Sequence, residues 1–171
     1  MISIIKANEN DYQSIVNIGR VAVEEAHRES CSAKDMSEYI AKNYNEAAIK
    51  DELKDAKNIY QIIHFNEIAV GFSKIVLNAE HSNIRQKNVT KLDRIYLLKE
   101  YHNHKLGFRL LKYNIELSKN ADEAGMWLYT WVENNRAIHF YLKMGFIIIG
   151  EHQFKVTDSC SNLNHHMYLA Y

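Results

Sequence analysis

The chain has 171 residues, and its 21 Lys and Arg balance its 21 Asp and Glu, so its formal net charge is zero. A balanced charge argues against general binding to nucleic acid or to an anionic membrane surface, because both require a basic excess. No apolar run approaches the ~20 residues of a membrane span, and the start MISIIKANEND does not read as a signal peptide. We therefore expect one cytoplasmic domain over residues 1–171.

The cysteines and the C-terminal histidines do not indicate a metal site. Cys31 and Cys160 lie far apart without a CxxC motif, a pattern that favours two reduced thiols over a disulfide. Adjacent His165 and His166 would point to opposite faces of a strand, and no paired cysteines support them or His152 as ligands. We expect no metal.

The first half of the chain predicts a strand, two helical regions and a hairpin. ISIIKA is the strand, and apolar residues at helical spacing then predict a helix from Asp11 to about Glu29, capped by Asp11. A second helical region runs from about Asp35 to Ala56, with a break near residues 43–45. The strand-like runs IYQIIHF and IAVGFSKIVL are separated by Asn66-Glu67, which predicts an antiparallel hairpin.

The middle of the chain predicts a loop, a strand and a helix. Residues 78–88 are polar and predict the loop, and VTKLDRIYLL is the following strand. A helix begins at Leu106, and its apolar stripe is Leu110, Tyr113 and Leu117.

The last segments complete an alternation of strands and helices. GMWLYTWV is apolar on both faces and predicts a buried central strand. ENNRAIHFYLKM predicts a helix that is capped by Asn134 or Asn135 and ends at Gly145. FIIIGEHQFKV and NLNHHMYLAY predict a final strand pair.

The stretch YHNHKLGFRLL lies where a strand ends and a helix begins. The first N–H groups of a helix carry the positive end of the peptide dipoles, so an anion can bind there, and Gly107 would let the backbone approach it closely. A solvated helix start that happens to be basic explains these residues equally well. The chain contains no GxxxxGK[ST], GxGxxG or GxSxG motif.

A second motif separates the two interpretations. ENNRAIHFYLKMGF matches the pattern N-x-x-A-I-x-F-Y-x-K-x-G-F. Together, this motif and the basic turn YHNHKLGFRLL show that nearly the whole chain resembles the GNAT superfamily of N-acetyltransferases. The pyrophosphate motif of that family, Q/R-x-x-G-x-G/A, falls on His102–Gly107. Only the last glycine is kept, since His102 replaces the Gln or Arg and Lys105 the first glycine.

The resemblance implies an α+β fold with three α/β/α layers. A mixed, mostly antiparallel sheet would be splayed at the acetyl-coenzyme A site and flanked by helices. Acetyl-coenzyme A would be the co-substrate, without a metal. The segments DRIYL, KDMSEYIAKNYN and GEHQF more loosely resemble the bacterial polyamine (spermidine/spermine) acetyltransferases, so a polyamine is the preferred acceptor.

The resemblance also assigns coenzyme-binding residues in three groups. Backbone groups of Ile95, Tyr96 and Leu97 would pair with the pantetheine arm and the acetyl carbonyl. The second motif contributes Asn134, Ala137, Tyr141 and Lys143. The phosphate turn comprises His102, Asn103, His104, Lys105, Leu106, Gly107 and Phe108.

The same resemblance suggests catalytic groups. Tyr141 would protonate the leaving thiolate, and Asp93 or His152 would remove the proton of the acceptor amine. Glu25 and Glu29 on the acidic first helix would bind a cationic acceptor. Each of these residues also has a structural explanation that stays open. Asp93 could form an ion pair, His152 could be an ordinary strand histidine, and the glutamates could belong to a solvated helix face.

The predicted function is therefore acetyl transfer to a primary amine. The alternatives are acetylation of a peptide N-terminus, an amino acid or an aminoglycoside, or a domain that senses acyl-coenzyme A without turnover. A homodimer is one possible assembly.

Overall fold

A mixed seven-stranded sheet forms the centre of the computed structural model, which describes residues 1–171. The strand order is β1-β2-β3-β4-β5-β7-β6, and every neighbouring pair is antiparallel except β4 and β5. The strands are β1 (Ile2–Lys6), β2 (Asn58–Phe65), β3 (Ile68–Val76), β4 (Thr90–Leu97), β5 (Gly125–Trp131), β6 (Ile147–Lys155) and β7 (Ser161–Ala170). The helices are α1 (Tyr12–His27), α2 (Ala33–Asn43), α3 (Glu46–Lys54), α4 (Leu106–Asn120) and α5 (Asn135–Lys143).

Helices cover both faces of the sheet and bury separate apolar clusters. One cluster joins α1, α2 and α3 to β2 and β3 through Ile15, Tyr44 and Phe72. Another joins α4 and α5 to β4, β5 and β7 through Leu111 and Tyr141. The predicted three-layer α/β/α architecture is thus confirmed.

The predicted hairpin and the predicted break between helices are also confirmed. β2 and β3 pair around Asn66 and Glu67, whose φ angles of 49° and 69° are the left-handed values that a tight hairpin turn requires. The break falls between α2 and α3, where the side chain of Asn45 accepts a hydrogen bond from the amide of Ala48 at 2.9 Å.

The cap predicted for the first helix is wrong in one respect. Asp11 precedes α1, but its side chain makes no capping bond to that helix. It accepts instead from the amide of Asn8 at 2.8 Å, in a short 3₁₀ turn that leads into α1. The Asp11 carboxylate is therefore part of a capping box with Asn8 and is not available to cap α1.

The apolar stripe predicted for α4 is rotated relative to the observed one. Tyr113 is 37% exposed, whereas Asn114 is fully buried beside Leu110 and Leu111. The Nδ2 group of Asn114 donates to Ser73 Oγ on β3 at 2.8 Å, so its burial does not leave that donor without a partner. A polar residue therefore occupies a core position that apolar periodicity could not reveal.

Strands β4 and β5 separate soon after they meet. Their only paired positions are Thr90 with Met126 and Lys91 with Trp127. On the other edge of β4, the register with β3 skips Asp93, which makes a β-bulge. From residue 92 onward, the edge of β4 that faces β5 has no strand partner.

The prediction of two reduced thiols is wrong, because Cys31 and Cys160 form a disulfide with their Cα atoms 6.1 Å apart. Cys31 follows α1, and the connection between β6 and β7 brings Cys160 back over that loop. Asp35 at the start of α2 reinforces the contact by accepting from Thr157 Oγ1 and Ser159 Oγ, both at 2.5 Å. A separation of 129 residues gave no sign of this proximity in the sequence.

Two further features of the chain concern metals and membranes. No group of three or more His, Cys, Asp or Glu side chains is arranged to hold a metal ion. None of the helices combines the length and apolarity needed to cross a bilayer.

Reduction of the disulfide should destabilise the protein. Opening a cross-link across 129 residues returns entropy to the unfolded chain, and we expect the free energy of unfolding to fall by about 2–4 kcal/mol. Urea unfolding with and without dithiothreitol measures this. A Cys31→Ala/Cys160→Ala double variant should not respond to the reductant. Equal midpoints for the native chain in both conditions would contradict the prediction.

Candidate active site

A cavity of about 860 Å³ opens where β4 and β5 diverge. Its walls come from β4, β5, α5 and the start of α4 on one side, and from α1, α2, β6 and β7 on the other. We call the part bounded by the start of α4 and by α5 the phosphate end. The part bounded by α1, α2 and the β6–β7 pair is the acceptor end.

The start of α4 forms an anion cradle at the phosphate end. Lys105 precedes the helix in the left-handed conformation, with φ 57° and ψ 20°. The amide of Arg109 donates to the carbonyl of Lys105 at 3.1 Å, so the amides before Arg109 face out of the helix end. A left-handed residue followed by helical residues aligns successive N–H groups into a concavity that binds anions.

Gly107 lies in the cavity wall and brings α4 close to its neighbours. A Cβ atom at this position would lie 3.2 Å from Leu97 Cδ1 and 3.9 Å from Phe140 Cζ. Its φ is not in the left-handed region, which Lys105 occupies instead. The glycine thus allows close packing of the helix start against β4 and α5, and Lys105 accepts the backbone conformation that favours glycine.

His102 also lies at the phosphate end, between β4 and α5. Its Nε2 faces the carbonyl oxygen of Leu97 at 3.1 Å, and its Nδ1 contacts the guanidinium of Arg136. This arrangement requires N–H at Nε2 and a lone pair at Nδ1, so the ring is neutral. Partial burial and then the Arg136 charge lower the pKa of His102.

The cradle fits a pyrophosphate group. Besides its outward-facing amides, the phosphate end is lined by the cationic side chains of Lys99, Lys105 and Arg136 and by His102. Amide dipoles and cations together stabilise phosphate oxygens.

Several residues assigned to coenzyme binding lie outside the cavity lining. The ring of His104 packs against Phe65 with their centroids 4.6 Å apart, and Asn103 is exposed. Leu106 is fully buried in the apolar core, so only its backbone can face the cradle. Lys143 lies on the exposed face of α5. These four side chains are therefore not placed to contact a ligand in the cavity.

The other assigned positions do line the cavity. The unpaired edge of β4 includes Ile95, Tyr96 and Leu97, which can offer backbone groups to an extended ligand arm. Phe108 and Ala137 contribute apolar wall. At the start of α5, Asn134 lines the cavity and its side chain accepts from the amide of Ala137 at 3.1 Å, which settles the choice of cap.

Tyr141 lines the cavity and packs in one apolar cluster with Leu92 of β4 and Leu128 of β5. It lies on α5, packs against Phe146 and is only 8% exposed. Burial raises the pKa of its phenol, so the hydroxyl stays protonated at neutral pH and can act as a proton donor.

Asp93 lies in the wall within an ion-pair network. It contacts Lys91 Nζ at 2.6 Å and Lys74 Nζ at 3.1 Å. Burial opposes its ionisation, but Lys91, Lys74 and Arg94 outweigh this effect and lower the pKa of Asp93 to about 2. A carboxylate held ionised in this way is a poor proton acceptor near neutral pH, which argues against Asp93 as the general base.

The remaining candidates are less favourably placed. His152 is exposed and stacks on Tyr129 with their centroids 4.4 Å apart, outside the cavity lining. Glu25 lines the cavity, but its carboxylate accepts from the amide of Lys99 at 3.2 Å. Glu29 is exposed and does not line the cavity.

Many lining residues were missed by the sequence analysis, among them Arg136, His27 and Trp131. Arg136 lies within the α5 motif at a position that the motif leaves variable, while His27 and Trp131 pack together in the splay with their ring centroids 6.2 Å apart. Burial lowers the pKa of His27 to about 4, so the imidazole is neutral at pH 7. In sequence, only the proximity of Arg136 to the motif could have indicated one of these three.

The fold combines two diverging strands with a helix start whose backbone geometry suits an anion. A model of the acetyltransferase (GNAT) family matches residues 22–146. The chain therefore belongs to the GNAT family of acetyltransferases and is an acetyl-coenzyme A-dependent N-acetyltransferase.

Three distant relatives cover almost the whole chain. An "uncharacterized N-acetyltransferase in pepI 3′ region" of Lactobacillus delbrueckii subsp. lactis is 23% identical over 92% of this chain and 91% of its own. The PaiA N-acetyltransferase of Thermoplasma acidophilum, solved in complex with coenzyme A, superposes with a TM-score of 0.79 at 20% identity, covering 100% of this chain and 99% of its own. Mutant forms of the spermidine/spermine N-acetyltransferase SpeG of Vibrio cholerae superpose with a TM-score of 0.68 at 15% identity, covering 99% of this chain and 95% of their own.

Gly107→Glu should weaken coenzyme A binding. The new carboxylate would crowd Leu97 and repel the phosphates, and we expect the affinity in calorimetry to fall more than about tenfold. Gly107→Ala is the matched control, because its methyl group meets only the flexible end of Leu97 and should cost less. Equal affinity of Gly107→Glu and the native chain would contradict the cradle.

Lys105→Gly should separate backbone strain from charge. Glycine adopts a φ of 57° without the penalty of a side chain, so we expect stability to rise by about 1 kcal/mol in thermal unfolding. The affinity for coenzyme A should fall nevertheless, because one phosphate-facing cation is lost. Lys105→Asn, which tolerates the same conformation, should lose affinity to the same extent. Unchanged affinity in both variants would show that the amides alone hold the phosphates.

Proposed function

We propose that residues 1–171 form one domain that transfers acetyl to a primary amine by direct attack, with Tyr141 as the acid. The observation that carries this proposal is that one cavity contains the anion cradle, the unpaired edge of β4 and a buried phenol. Acetyl-coenzyme A supplies an activated acetyl thioester and a thiol leaving group. The chain has to orient it and manage protons.

Binding divides between the cradle and β4. The start of α4, with Lys105 and Arg136, holds the phosphates, while His102 closes the turn by its bond to Leu97. Backbone groups of residues 95–97 hold the extended arm in the splay. An N–H of this edge that faces the acyl oxygen stabilises the negative charge that develops there, an effect worth about 3–4 kcal/mol per donor in studied enzymes.

Tyr141 holds a proton at its phenolic oxygen for the departing sulfur. Its burial keeps the hydroxyl protonated, and it lines the same cavity as the cradle and the unpaired edge of β4. The phenol then recovers its proton from solvent through the open cavity.

The acceptor amine must lose its proton, and the surroundings favour that loss. Lys91 and Arg94 line the acceptor end, and nearby positive charges lower the pKa of an ammonium group. A dedicated base such as Asp93 or His152 is then not essential. His27 also lines the cavity, but burial lowers its pKa to about 4, so it is a weak base near neutral pH.

The finer assignments remain predictions. A polyamine acceptor is supported by the sequence resemblance and by the named activity of the SpeG neighbour. A peptide N-terminus, an amino acid and an aminoglycoside are its rivals. A cytoplasmic location and a homodimer also stay predictions, and the Cys31–Cys160 bond is a feature more common in oxidising compartments.

Tyr141→Phe should lower the rate of amine-dependent thiol release from acetyl-coenzyme A by about a hundredfold or more, because the phenolic proton is lost. The affinity for coenzyme A should barely change, since the ring remains. Tyr113→Phe, on the exposed face of α4, is the matched control and should keep the native rate. An unchanged rate in Tyr141→Phe would show that another acid operates. Coenzyme binding without thiol release on any amine would favour a sensor.

A further inference from the structure

The acceptor end of the cavity is lined by more positive than negative charge. Its charged lining residues are Lys42, Lys91, Arg94 and Lys155 against two acids, Asp93 and Glu25. This charge pattern is unusual for a site that would take a polycation, which needs free carboxylates.

A partly buried ion network lies behind this wall and contains three bases and two acids. Arg94 and Lys74 contact the two oxygens of Glu52 at 2.9 and 2.6 Å. Lys91 and Lys74 contact the two oxygens of Asp93 at 2.6 and 3.1 Å. All four carboxylate oxygens are engaged, and the network keeps a net charge of +1.

Part of this network lines the cavity. Lys74 and Arg94 are nearly enclosed, but the side chain of Lys91 is 31% exposed and lines the cavity. An ammonium has three N–H donors, and Asp93 is the only acceptor found for Lys91. Lys42 at the rim has no ion-pair partner within 4 Å, whereas Lys155 is offset by Asp158 at 2.6 Å.

The acids at the other wall of the cavity do not reverse this balance. Glu25 lines the cavity, but its carboxylate accepts from the amide of Lys99 at 3.2 Å, and Glu29 is exposed outside the lining. On α1 and α2, Glu24 pairs with Arg28 at 3.5 Å and Glu38 pairs with Lys34 at 4.0 Å. Asp35 accepts from hydroxyl groups of the β6–β7 connection and does not line the cavity.

We propose that the acceptor is a primary amine that carries a carboxylate, which Lys91 and Lys42 bind at the acceptor end. This inference rests on the proposed acetyl transfer and names its substrate class. A carboxylate supplies the acceptor oxygens that the network lacks and neutralises its excess charge. A second ammonium at the same place would face three bases and be repelled, so a polyamine is the disfavoured acceptor.

A matched series of amines tests the charge of the distal group. 4-Aminobutyrate, butylamine and putrescine share a four-carbon chain and end in a carboxylate, a methyl group and an ammonium. When thiol release from acetyl-coenzyme A is measured, kcat/KM should be highest for 4-aminobutyrate, lower for butylamine and lowest for putrescine, with each step at least about fivefold. Glycylglycine against glycylglycinamide tests whether the carboxylate of a peptide also raises kcat/KM.

Two lysine variants test where the carboxylate binds. Lys91→Gln should reduce the ratio of kcat/KM for 4-aminobutyrate over butylamine by about fivefold, the effect of one partly exposed charge. Lys42→Gln, at an exposed position with no ion pair, should do the same and covers the case in which Lys91→Gln fails to fold. Lys112→Gln on the outer face of α4 should leave the ratio unchanged.

The outcomes distinguish this inference from the proposed function. Thiol release that is fastest with putrescine, or equal across the series, would overturn the inference and leave acetyl transfer intact. An unchanged ratio in a folded lysine variant would also overturn it. If no amine in either series releases thiol, the proposed function fails and this inference fails with it.

Discussion

The separation of β4 from β5 is the constraint on which the rest of the structure depends. Two paired positions hold the strands together, and beyond them the backbone groups of β4 have no strand to satisfy them. Unpaired backbone groups are costly when buried away from water, so this edge is stable only if the gap stays open to solvent or a ligand fills it. The cavity between the strands is therefore a consequence of the fold.

The bulge at Asp93 links this opening to the charge of the acceptor end. The register with β3 skips one residue there, and Asp93 and Arg94 lie in one ion network, with Arg94 Nε 3.9 Å from Asp93 Oδ2. In a regular strand these neighbours would point to opposite faces. A backbone irregularity thus accompanies the ion network, and the network fixes the electrostatics of the cavity wall.

The sequence predicts the elements better than it predicts the roles of their side chains. Apolar periodicity and turn residues placed all seven strands, because those signals are local. The ion network joins α3, β3 and β4, and the disulfide joins residues 129 apart, so both depend on tertiary contacts that no local pattern encodes. The same limit explains why Asp93 resembled a base and why His27 and Trp131 went unnoticed.

A net charge of zero also conceals the polarity of the site. Seven Lys and Arg side chains line the cavity against two acids, Glu25 and Asp93, so the excess negative charge lies elsewhere on the chain. A cleft with one sign of charge and low-dielectric walls concentrates ions of the opposite sign even when the whole molecule is neutral. Composition excludes a generally basic surface, but it does not describe a cavity. The phosphates of the carrier and a carboxylate on the acceptor would be drawn into the two ends of this cleft by the same physical effect.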